Sequence, residues 1–499
     1  MQSGDAKRAH GRRTWLALIA PAAIAAILLL PAGASANTTT CSDPVGTVRE
    51  CVMTVGPVGV DGFEAVQAQT FAPHPTIPGP AGSTEYVTHM SADLVDNNGD
   101  PVPISRMMLH HLVFANLGKP DYTCHDQGFT DFAESPSVFS GNNFQRFYAA
   151  GEEHGQMYMP DGYGYPLKDN DNWGVLYMVM NHKSVEDEAY IRYRVTLDSD
   201  QTTQPVKPYW LDVRDCRADP VYTTKGDGGP DSSDVQTADY TFPQSGRIVS
   251  GGGHTHGGAR ELDLTKPNCQ GNDQLATSVP TWGLPDHPYY TVRPILHEPG
   301  PASMSEFTTE QGIPVNAGET LRLSSIYDNS QVHHRVMGIS IVYFAPDSGV
   351  TANCEGLPTD TVHLNSDDSV AGANGRAGPI VPYKIPLYKR VGDEAVKVKH
   401  PPGDPVKVKS GKTITANHES FSLHNIVLKK GGTLNWDFQD IQLHNITVVS
   451  GPDGFASPNL DPVESPFTTY SHKFKKPGTY NLFCALHPVA MNEQIKIKR

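Results

Sequence analysis

The sequence predicts an all-β protein: two antiparallel β-sandwiches followed by a third, small Greek-key sandwich. Short segments of alternating side chains are separated by clusters of glycine, proline, asparagine and aspartate. No long segment repeats its apolar residues with the 3.6-residue period of a helix. The 499 residues, with 46 glycines and 41 prolines, are too many for one ordinary core and suit a turn-rich globular protein.

Three segments carry the clearest strand patterns, and the breaks between such segments divide the chain into regions. These segments are residues 189–197 (AYIRYRVTL), 319–327 (ETLRLSSIY) and 337–344 (MGISIVYF). We expect a first sandwich over residues 40–200, a second over 205–348, a linker over 365–410 and a small β domain over 411–499. The linker is predicted because this stretch is rich first in Ser, Asp, Gly and Ala and then in proline.

The first 36 residues are interpreted as an export signal. Basic residues precede an apolar run over residues 15–30, and ASA at residues 34–36 offers a small-residue cleavage site. Arg12 and Arg13 begin a string that looks like a twin-arginine signal, a pathway that would suit a metal loaded before export. We therefore expect a secreted, extracellular or periplasmic protein with no stable membrane insertion after cleavage. A retained signal anchor is the alternative.

The net charge restricts the classes of partner that the protein can bind, and the cysteine content indicates the compartment in which it folds. The formal net charge is −15 and no basic stripe is present, so we expect no nucleic-acid partner. Six of the seven cysteines lie before residue 360. In an exported chain they can form up to three disulfides, whose pairing the sequence leaves open. Cys484 stands alone near the C-terminus, where a thiol needs protection or a chemical role.

The strongest motif lies at the C-terminal end. Cys484, His487 and Met491 fall within eight residues, and His444 lies upstream after the strand-like sequence LNWDF. Two imidazoles, a thiolate and a weakly bound thioether form the ligand set of blue copper sites. His424 is also followed by asparagine and is the alternative first histidine. His444 is preferred because it follows LNWDF, whereas His424 precedes it.

Residues 413–499 resemble the plastocyanin and amicyanin class of cupredoxins. The matching elements are VLKKGGTLNWDF, LHN, KPGTYNLFCALHP and the final methionine. The resemblance implies one electron-transferring type 1 copper held by His444, Cys484, His487 and Met491. In the related multicopper oxidases the cysteine is next to a histidine that binds a catalytic copper. Here its neighbours are Phe483 and Ala485, so no such relay is expected.

Four further features precede residue 345: the pair His110-His111, His182, the pair His254 and His256, and Met337. Adjacent residues of a regular strand point to opposite faces, so the first pair can meet one metal only where the strand is bulged or ends. Histidines at i and i+2 project to the same side and can share an ion. The nearby methionines are either extra soft ligands or core side chains: Met107, Met108, Met178 and Met180.

Together these features resemble the copper type II, ascorbate-dependent monooxygenases, peptidylglycine α-hydroxylating and dopamine β-monooxygenase. The segments GGGHTHGGA and HHRVMG are also similar to the stress-upregulated nodulin-type proteins. The monooxygenase resemblance implies two type 2 coppers. One would be held by His110, His111 and His182, and the other, catalytic and dioxygen-binding, by His254, His256 and Met337.

The two resemblances imply an exported copper oxidoreductase. The type 1 copper would accept electrons from a redox donor and pass them to the two-copper site, where dioxygen hydroxylates a small organic substrate.

Two departures from the monooxygenase family bear on the substrate and on electron transfer. Glycines at residues 251–253 replace an arginine that binds a peptide carboxylate, and Met180 replaces a glutamine implicated in electron transfer. The alternatives are a non-enzymatic copper-binding or electron-carrier protein with a structural or copper-storing sandwich, and a structural surface protein.

Overall fold

The computed structural model describes residues 37–124, 143–217, 220–269, 274–283, 286–354, 356–366, 383–439, 442–459 and 468–499. The predicted export signal and residues 367–382 of the predicted linker lie outside these ranges. Within them the chain is almost entirely β-strand, with one short helix, α1 (Pro288–Thr291). The all-β prediction is confirmed. No helix in this part of the chain is long and apolar enough to span a membrane.

The first sandwich contains strands β1 to β11. They are β1 (Thr38–Cys41), β2 (Val48–Val60), β3 (Ala65–Ala72), β4 (Thr84–Val95), β5 (Met107–Leu117), β6 (Phe144–Gly151), β7 (Met157–Tyr158), β8 (Tyr163–Lys168), β9 (Asn172–Asn181), β10 (Asp187–Asp198) and β11 (Gln204–Pro205). One sheet has the order β1-β2-β10-β4-β8-β11, with β7 also paired to β4, and the other has the order β3-β9-β5-β6. Alternate side chains of both sheets point into one core, in which Met53 and Tyr193 belong to the same buried cluster as Phe114 and Trp173.

The second sandwich contains strands β12 to β21. They are β12 (Lys207–Asp212), β13 (Ser233–Thr241), β14 (Gly246–Thr255), β15 (Ala259–Thr265), β16 (Gln274–Ser278), β17 (Pro280–Thr281), β18 (Ser303–Val315), β19 (Thr320–Asp328), β20 (Gly338–Pro346) and β21 (Val362–Asn365). Its sheets have the orders β12-β20-β14-β18-β17, with β21 also paired to β18, and β13-β19-β15-β16.

Strand β20 is buried on both faces, as its continuous apolar sequence indicates. Ile339, Ile341 and Tyr343 pack into the core cluster of the first sandwich. Val342 and Phe344 point the other way, into the core of the second sandwich. The larger sheet of the second sandwich therefore lies between its own partner sheet and the first sandwich, and β12 contacts β6. This packing brings the ends of strands from both sandwiches together.

The third sandwich and the hairpin before it contain the remaining strands. They are β22 (Leu387–Val391), β23 (Glu394–Val398), β24 (Val406–Lys407), β25 (Lys412–Asn417), β26 (Ser420–Phe421), β27 (Asn425–Lys429), β28 (Thr433–Phe438), β29 (Thr447–Ser450), β30 (Thr469–Lys473), β31 (Gly478–Phe483) and β32 (Asn492–Lys498). The sandwich sheets have the orders β24-β27-β32-β31-β29 and β26-β25-β28-β30.

The hairpin of β22 and β23 corrects the expectation of an extended linker for this part of residues 365–410. Leu387 and Tyr388 are buried. The Asn492 side chain donates a hydrogen bond of 2.8 Å to the Tyr388 backbone oxygen, which fastens the hairpin to the third sandwich. The surrounding prolines and charges concealed this short apolar pair in the sequence.

Six cysteines pair and one does not. The disulfides are Cys41–Cys51, Cys124–Cys216 and Cys269–Cys354. Cys484 is free and buried, as its position alone near the C-terminus predicted. Disulfides form and persist in oxidising compartments, so the three bridges fit a secreted or extracellular protein.

Candidate metal centres

Three metal-binding side chains converge at one end of the third sandwich. His444 precedes β29, and Cys484 and His487 lie in the loop between β31 and β32. The Nδ1 atoms of His444 and His487 are 3.1 Å apart, and Cys484 Sγ lies 3.6 Å from His487 Nδ1. All three side chains are buried. The alternative, His424, lies elsewhere, with its Nδ1 3.2 Å from the backbone oxygen of Asn492.

Backbone hydrogen bonds close the loop that carries these ligands. Cys484 N–H donates to Met491 O at 2.9 Å, and Met491 N–H donates to His487 O at 2.9 Å. Met491 is fully buried, with 0% of its surface exposed. The loop thus fixes the thiol, the imidazole and the thioether relative to one another.

Asn445 supports the cysteine from outside the ligand set. Its backbone N–H points at Cys484 Sγ, 3.4 Å away, and its Oδ1 accepts the Ala485 N–H at 2.8 Å. Its Nδ2 donates to Asn459 Oδ1 at 3.0 Å. Partners of this kind orient a ligand and keep the site rigid when a metal changes charge.

The donor atoms fit a type 1 copper. Burial raises the pKa of the Cys484 thiol, although the Asn445 backbone N–H acts in the opposite direction. A buried neutral thiol becomes a thiolate ligand when a metal ion displaces its proton. One thiolate, two imidazoles and a thioether are the blue-copper donor set.

The pair His110-His111 lies on a β-bulge, the condition under which neighbouring histidines can face one ion. The pairing of β5 with β9 shifts register between Leu109 and His111. His110 therefore leaves the ladder, and its Nδ1 lies 3.1 Å from His111 Nδ1. Burial lowers the pKa of His110 well below its usual range and that of His111 to about 3. Both rings are neutral near pH 7 and have a lone pair to offer a metal.

His254 and His256 lie on the same side at the end of β14, as their spacing predicts. Their Nε2 atoms are 3.1 Å apart. His254 Nδ1 lies 2.9 Å from Glu153 Oε1, and His256 Nδ1 lies 2.7 Å from Arg335 O. Acceptors at both Nδ1 atoms leave the Nε2 atoms to bind a metal. Burial opposes the charge on His254, but the Glu153 carboxylate outweighs it and raises the pKa of that ring. Burial lowers the pKa of His256.

The two pairs lie in one cluster, and the expectation of one copper site on each sandwich stays a prediction. The ring centroids of His110 and His256 are 5.0 Å apart, and those of His110 and His297 are 5.3 Å apart. His297 Nε2 lies 2.9 Å from Glu152 Oε1. The cause is the packing of the two sandwiches, which brings β5 against the end of β14. We call this set the histidine cluster: His110, His111, His254, His256 and His297.

His182 lies within electrostatic range of His297, whose charge adds to burial in lowering the pKa of His182 to about 3. Its backbone N–H donates to Arg106 O at 3.0 Å. His182 thus lies opposite a residue four positions before His110, about 13 Å along the strand at about 3.3 Å per residue. In the part of the chain that the structure describes, no hydrogen bond or ring contact joins the His182 ring to His110 or His111, and both its ring nitrogens lack hydrogen-bond partners. The neighbour of His110 is His297 instead.

Met337 lies beside the second pair. It is 5% exposed, and it lines one cavity with His254 and another with His256. Its backbone oxygen accepts a hydrogen bond of 2.6 Å from Tyr327. The four other methionines near the sites are buried: Met107, Met108, Met178 and Met180. Met178 and Met180 also line a cavity together with His110 and His256, so both roles considered for them stay predictions.

Sequence reasoning missed four residues at the cluster. Glu152 and Glu153 follow β6, while His297 and His334 lie in loops of the second sandwich. Only His334 lies in a segment that the sequence analysis names, HHRVMG, and the other three belong to no short motif of metal-ligand spacing. The packing of the sandwiches shows that these side chains meet.

Two cavities adjoin the cluster. The larger is bounded by His111, Glu153, His254 and Met337. Its other walls are mainly apolar and include Leu112, Phe144, Leu176, Trp210, Ile339 and Ile341. The second is lined by His110, His111, His256, His297 and His334 and also by Phe483 and Ala485 of the third sandwich.

Family comparison assigns the third sandwich. Residues 395–498 match the model described as copper binding proteins, plastocyanin/azurin family. The C-terminal domain is a cupredoxin. Two solved structures similar to it are amicyanin mutants, one oxidised and one in a reduced Cu(I) form at pH 4. They are 21% and 23% identical, cover 17% and 18% of this chain and 81% and 86% of their own, and both have a TM-score of 0.16. A search of curated proteins found no match.

A second family model covers the sandwich next to the cupredoxin. Residues 177–347 match the model described as stress up-regulated Nod 19, which confirms the similarity to nodulin-type proteins. The match includes His182, His254, His256 and Met337 but begins after His110. The match to this family of copper binding proteins indicates that the cupredoxin domain binds copper and transfers electrons. The resemblance to copper monooxygenases, with its two type 2 coppers, stays a prediction.

Proposed function

We propose that this protein is an exported copper oxidoreductase in which the cupredoxin domain passes electrons to a metal centre in the histidine cluster. One observation carries the proposal. Phe483 and Ala485, the two neighbours of Cys484, line the same cavity as His110 and His256. The two residues that flank the cysteine ligand therefore lie in the wall of a cavity that the histidine cluster also lines, which favours electron transfer within a single chain.

The cupredoxin ligands would be His444, Cys484, His487 and Met491. A copper ion held there would alternate between Cu(I) and Cu(II) and so move one electron at a time. The chain supplies rigidity, because the loop hydrogen bonds and Asn445 hold the donor atoms in place.

Two connections lead from the cysteine ligand toward the cluster. The Phe483 ring lies 5.3 Å from the ring of His334, which lines the shared cavity. The second is a chain of side-chain hydrogen bonds. Asn445 donates to Asn459 at 3.0 Å, and Asn459 donates to Gln67 at 3.1 Å. Gln67 lines both cavities.

The docking of the cupredoxin domain favours this role over that of a free carrier. Ala65 N–H donates to Leu486 O at 2.9 Å, and Glu64 Oε2 lies 3.8 Å from His487 Nε2. His487 is only 5% exposed, so the first sandwich covers most of the ligand edge that a diffusing carrier would present. A surface cavity lined by Glu64, Gln442 and His487 is where we expect a one-electron donor to approach.

The larger cavity beside the cluster suits a small organic substrate. Its walls are mostly apolar, with His254 and Met337 at its polar end. In the monooxygenase reaction, one substrate C–H bond becomes C–OH and the second oxygen atom of dioxygen becomes water. Two electrons from the external donor, delivered through the cupredoxin domain, and two protons balance the reaction. His254, His256 and Met337 remain the residues proposed for this step.

The proposal is tested with the copper-loaded protein. We expect a strong visible thiolate-to-copper band, and oxygen uptake when a reductant and a panel of small organic substrates are added. After rapid reduction of the cupredoxin copper, Phe483→Leu is expected to slow the return of the band because it removes the ring next to His334. Phe474→Leu, which removes a buried ring elsewhere in the domain, is the matched control.

Different outcomes point to different conclusions. A protein that stays colourless with oxidised copper contradicts the proposal altogether. A blue protein without oxygen uptake, in which Phe483→Leu and Phe474→Leu behave alike, supports the alternative of a copper-binding electron carrier.

A further inference from the structure

We infer that His110, Glu152 and His297 form a metal site shared by the two large sandwiches. This inference deepens the proposed function and rests on it for the role of the site. The three ligand atoms lie within 4.8 Å of one another. Glu152 Oε1 is 2.9 Å from His297 Nε2 and 3.8 Å from His110 Nε2. This set differs from both groups that the monooxygenase resemblance implied, because it contains a carboxylate and a histidine outside every sequence motif.

The fold aims these three side chains at one point. His110 projects from the bulge in β5, and Glu152 follows the last residue of the neighbouring strand β6. His297 comes from the second sandwich, in the segment between α1 and β18. The Gly300 N–H donates to Glu152 Oε2 at 2.9 Å, which orients the carboxylate and leaves Oε1 toward the imidazoles.

The His297 imidazole is buried without a hydrogen-bond partner. The residue is 8% exposed, and neither ring nitrogen makes a hydrogen bond. Glu152 Oε1 lies close to Nε2, but the two atoms are not aligned for a hydrogen bond. A buried polar group without a partner is costly. A metal ion among the three side chains would take the lone pairs of both imidazoles and one carboxylate oxygen.

The donor chemistry indicates the class of metal. Two imidazoles and one carboxylate, without sulfur, suit a divalent first-row transition metal such as copper(II), iron(II) or zinc(II) and leave coordination positions open. Of these, copper and iron can change oxidation state, as the proposed function requires. The thiolate and thioether of the cupredoxin site favour copper. The two centres are thus built for different ions or different oxidation states.

Zinc binding to the full protein tests the assignment. A Cys484→Ser background removes the thiolate site, and the protein is loaded with zinc alone, desalted and analysed for bound metal. His297→Ala and Glu152→Gln should each lower the zinc content by about one equivalent per chain. His363→Ala, which removes an exposed histidine on β21, should leave it unchanged.

A thermal measurement covers the case in which Glu152→Gln fails to fold, since Glu152 is buried. Zinc should raise the unfolding midpoint of the Cys484→Ser protein, and His297→Ala should abolish that increase. Equal zinc content, or an equal rise in midpoint, with and without His297 overturns the inference. If the copper-loaded protein is nevertheless blue, only this inference fails, whereas a colourless copper-loaded protein overturns the proposed function.

Discussion

Replacing Glu306 by glutamine is expected to stabilise the protein increasingly as the pH rises. Glu306 lies on β18 and lines the larger cavity, and it is 7% exposed. Its Oε1 accepts the Gln156 N–H at 3.0 Å, while no hydrogen bond to Oε2 is found among the described residues. Burial raises the pKa of this carboxyl from 4.5 to about 8; the Gln156 hydrogen bond opposes the rise and the charge of Glu153 adds to it.

The sign of the effect follows from the raised pKa. Below pH 4.5 the side chain is neutral in both the folded and the unfolded chain. As the pH rises toward 8, the unfolded chain loses the proton that the folded chain keeps, so the free energy of unfolding falls. At about 1.4 kcal/mol per pKa unit, the whole loss is at most about 5 kcal/mol. Glutamine keeps an acceptor for the Gln156 N–H and removes the loss, because it does not titrate.

Urea unfolding at about pH 5 and about pH 8 measures the effect. Fluorescence of Trp210, which lines the same cavity, reports on the transition. Glu306→Gln should gain several kcal/mol over the natural protein at the higher pH and much less at the lower pH. Glu310→Gln, on the exposed face of the same strand, is the control and should change little at either. Equal differences between Glu306→Gln and the natural protein at both pH values would refute the reasoning.

Three further predictions concern other parts of the molecule. Asn445→Ala should lower the free energy of unfolding by about 1 kcal/mol in urea and alter the visible copper band, because it removes the hydrogen bond to the partly buried Ala485 N–H. An unchanged band would contradict the role given to Asn445. Removing the Cys124–Cys216 disulfide, whose cysteines are 92 residues apart in the chain, should lower the free energy of unfolding by about 4 kcal/mol. An unaltered urea midpoint would argue against this. Burial opposes the charge on His333, but two carboxylates outweigh it and raise its pKa to about 9. His333→Gln should therefore lower the free energy of unfolding most below pH 6.5, and the difference from the natural protein should shrink as the pH rises through about 9. If the free energies of unfolding of the two proteins differ by the same amount at every pH, the ion pairs of His333 do not contribute as proposed.

The sequence predicted the cupredoxin site because its ligands lie close together in the chain. Cys484, His487 and Met491 share one loop, whereas His444, which precedes β29, was assigned from the resemblance to cupredoxins. Spacing also predicted that His254 and His256 share a side of their strand, and that His110 and His111 need a bulge to face one ion. Local chain geometry determines each of these relations, so they can be read without the fold.

By itself, the sequence determined the all-β class and the isolation of Cys484 from the disulfides, and it predicted the cupredoxin ligands. Only the tertiary structure decided the partners of His110. It placed the two histidine pairs in one cluster, brought His297 and Glu152 beside His110, and set Phe483 and Ala485 of the cupredoxin domain in the wall of a cavity next to this cluster. The physical reason is that these contacts depend on how one sheet packs against another. Residues that meet across such an interface are far apart in the chain and have no characteristic spacing in the sequence, so no local pattern predicts that they meet.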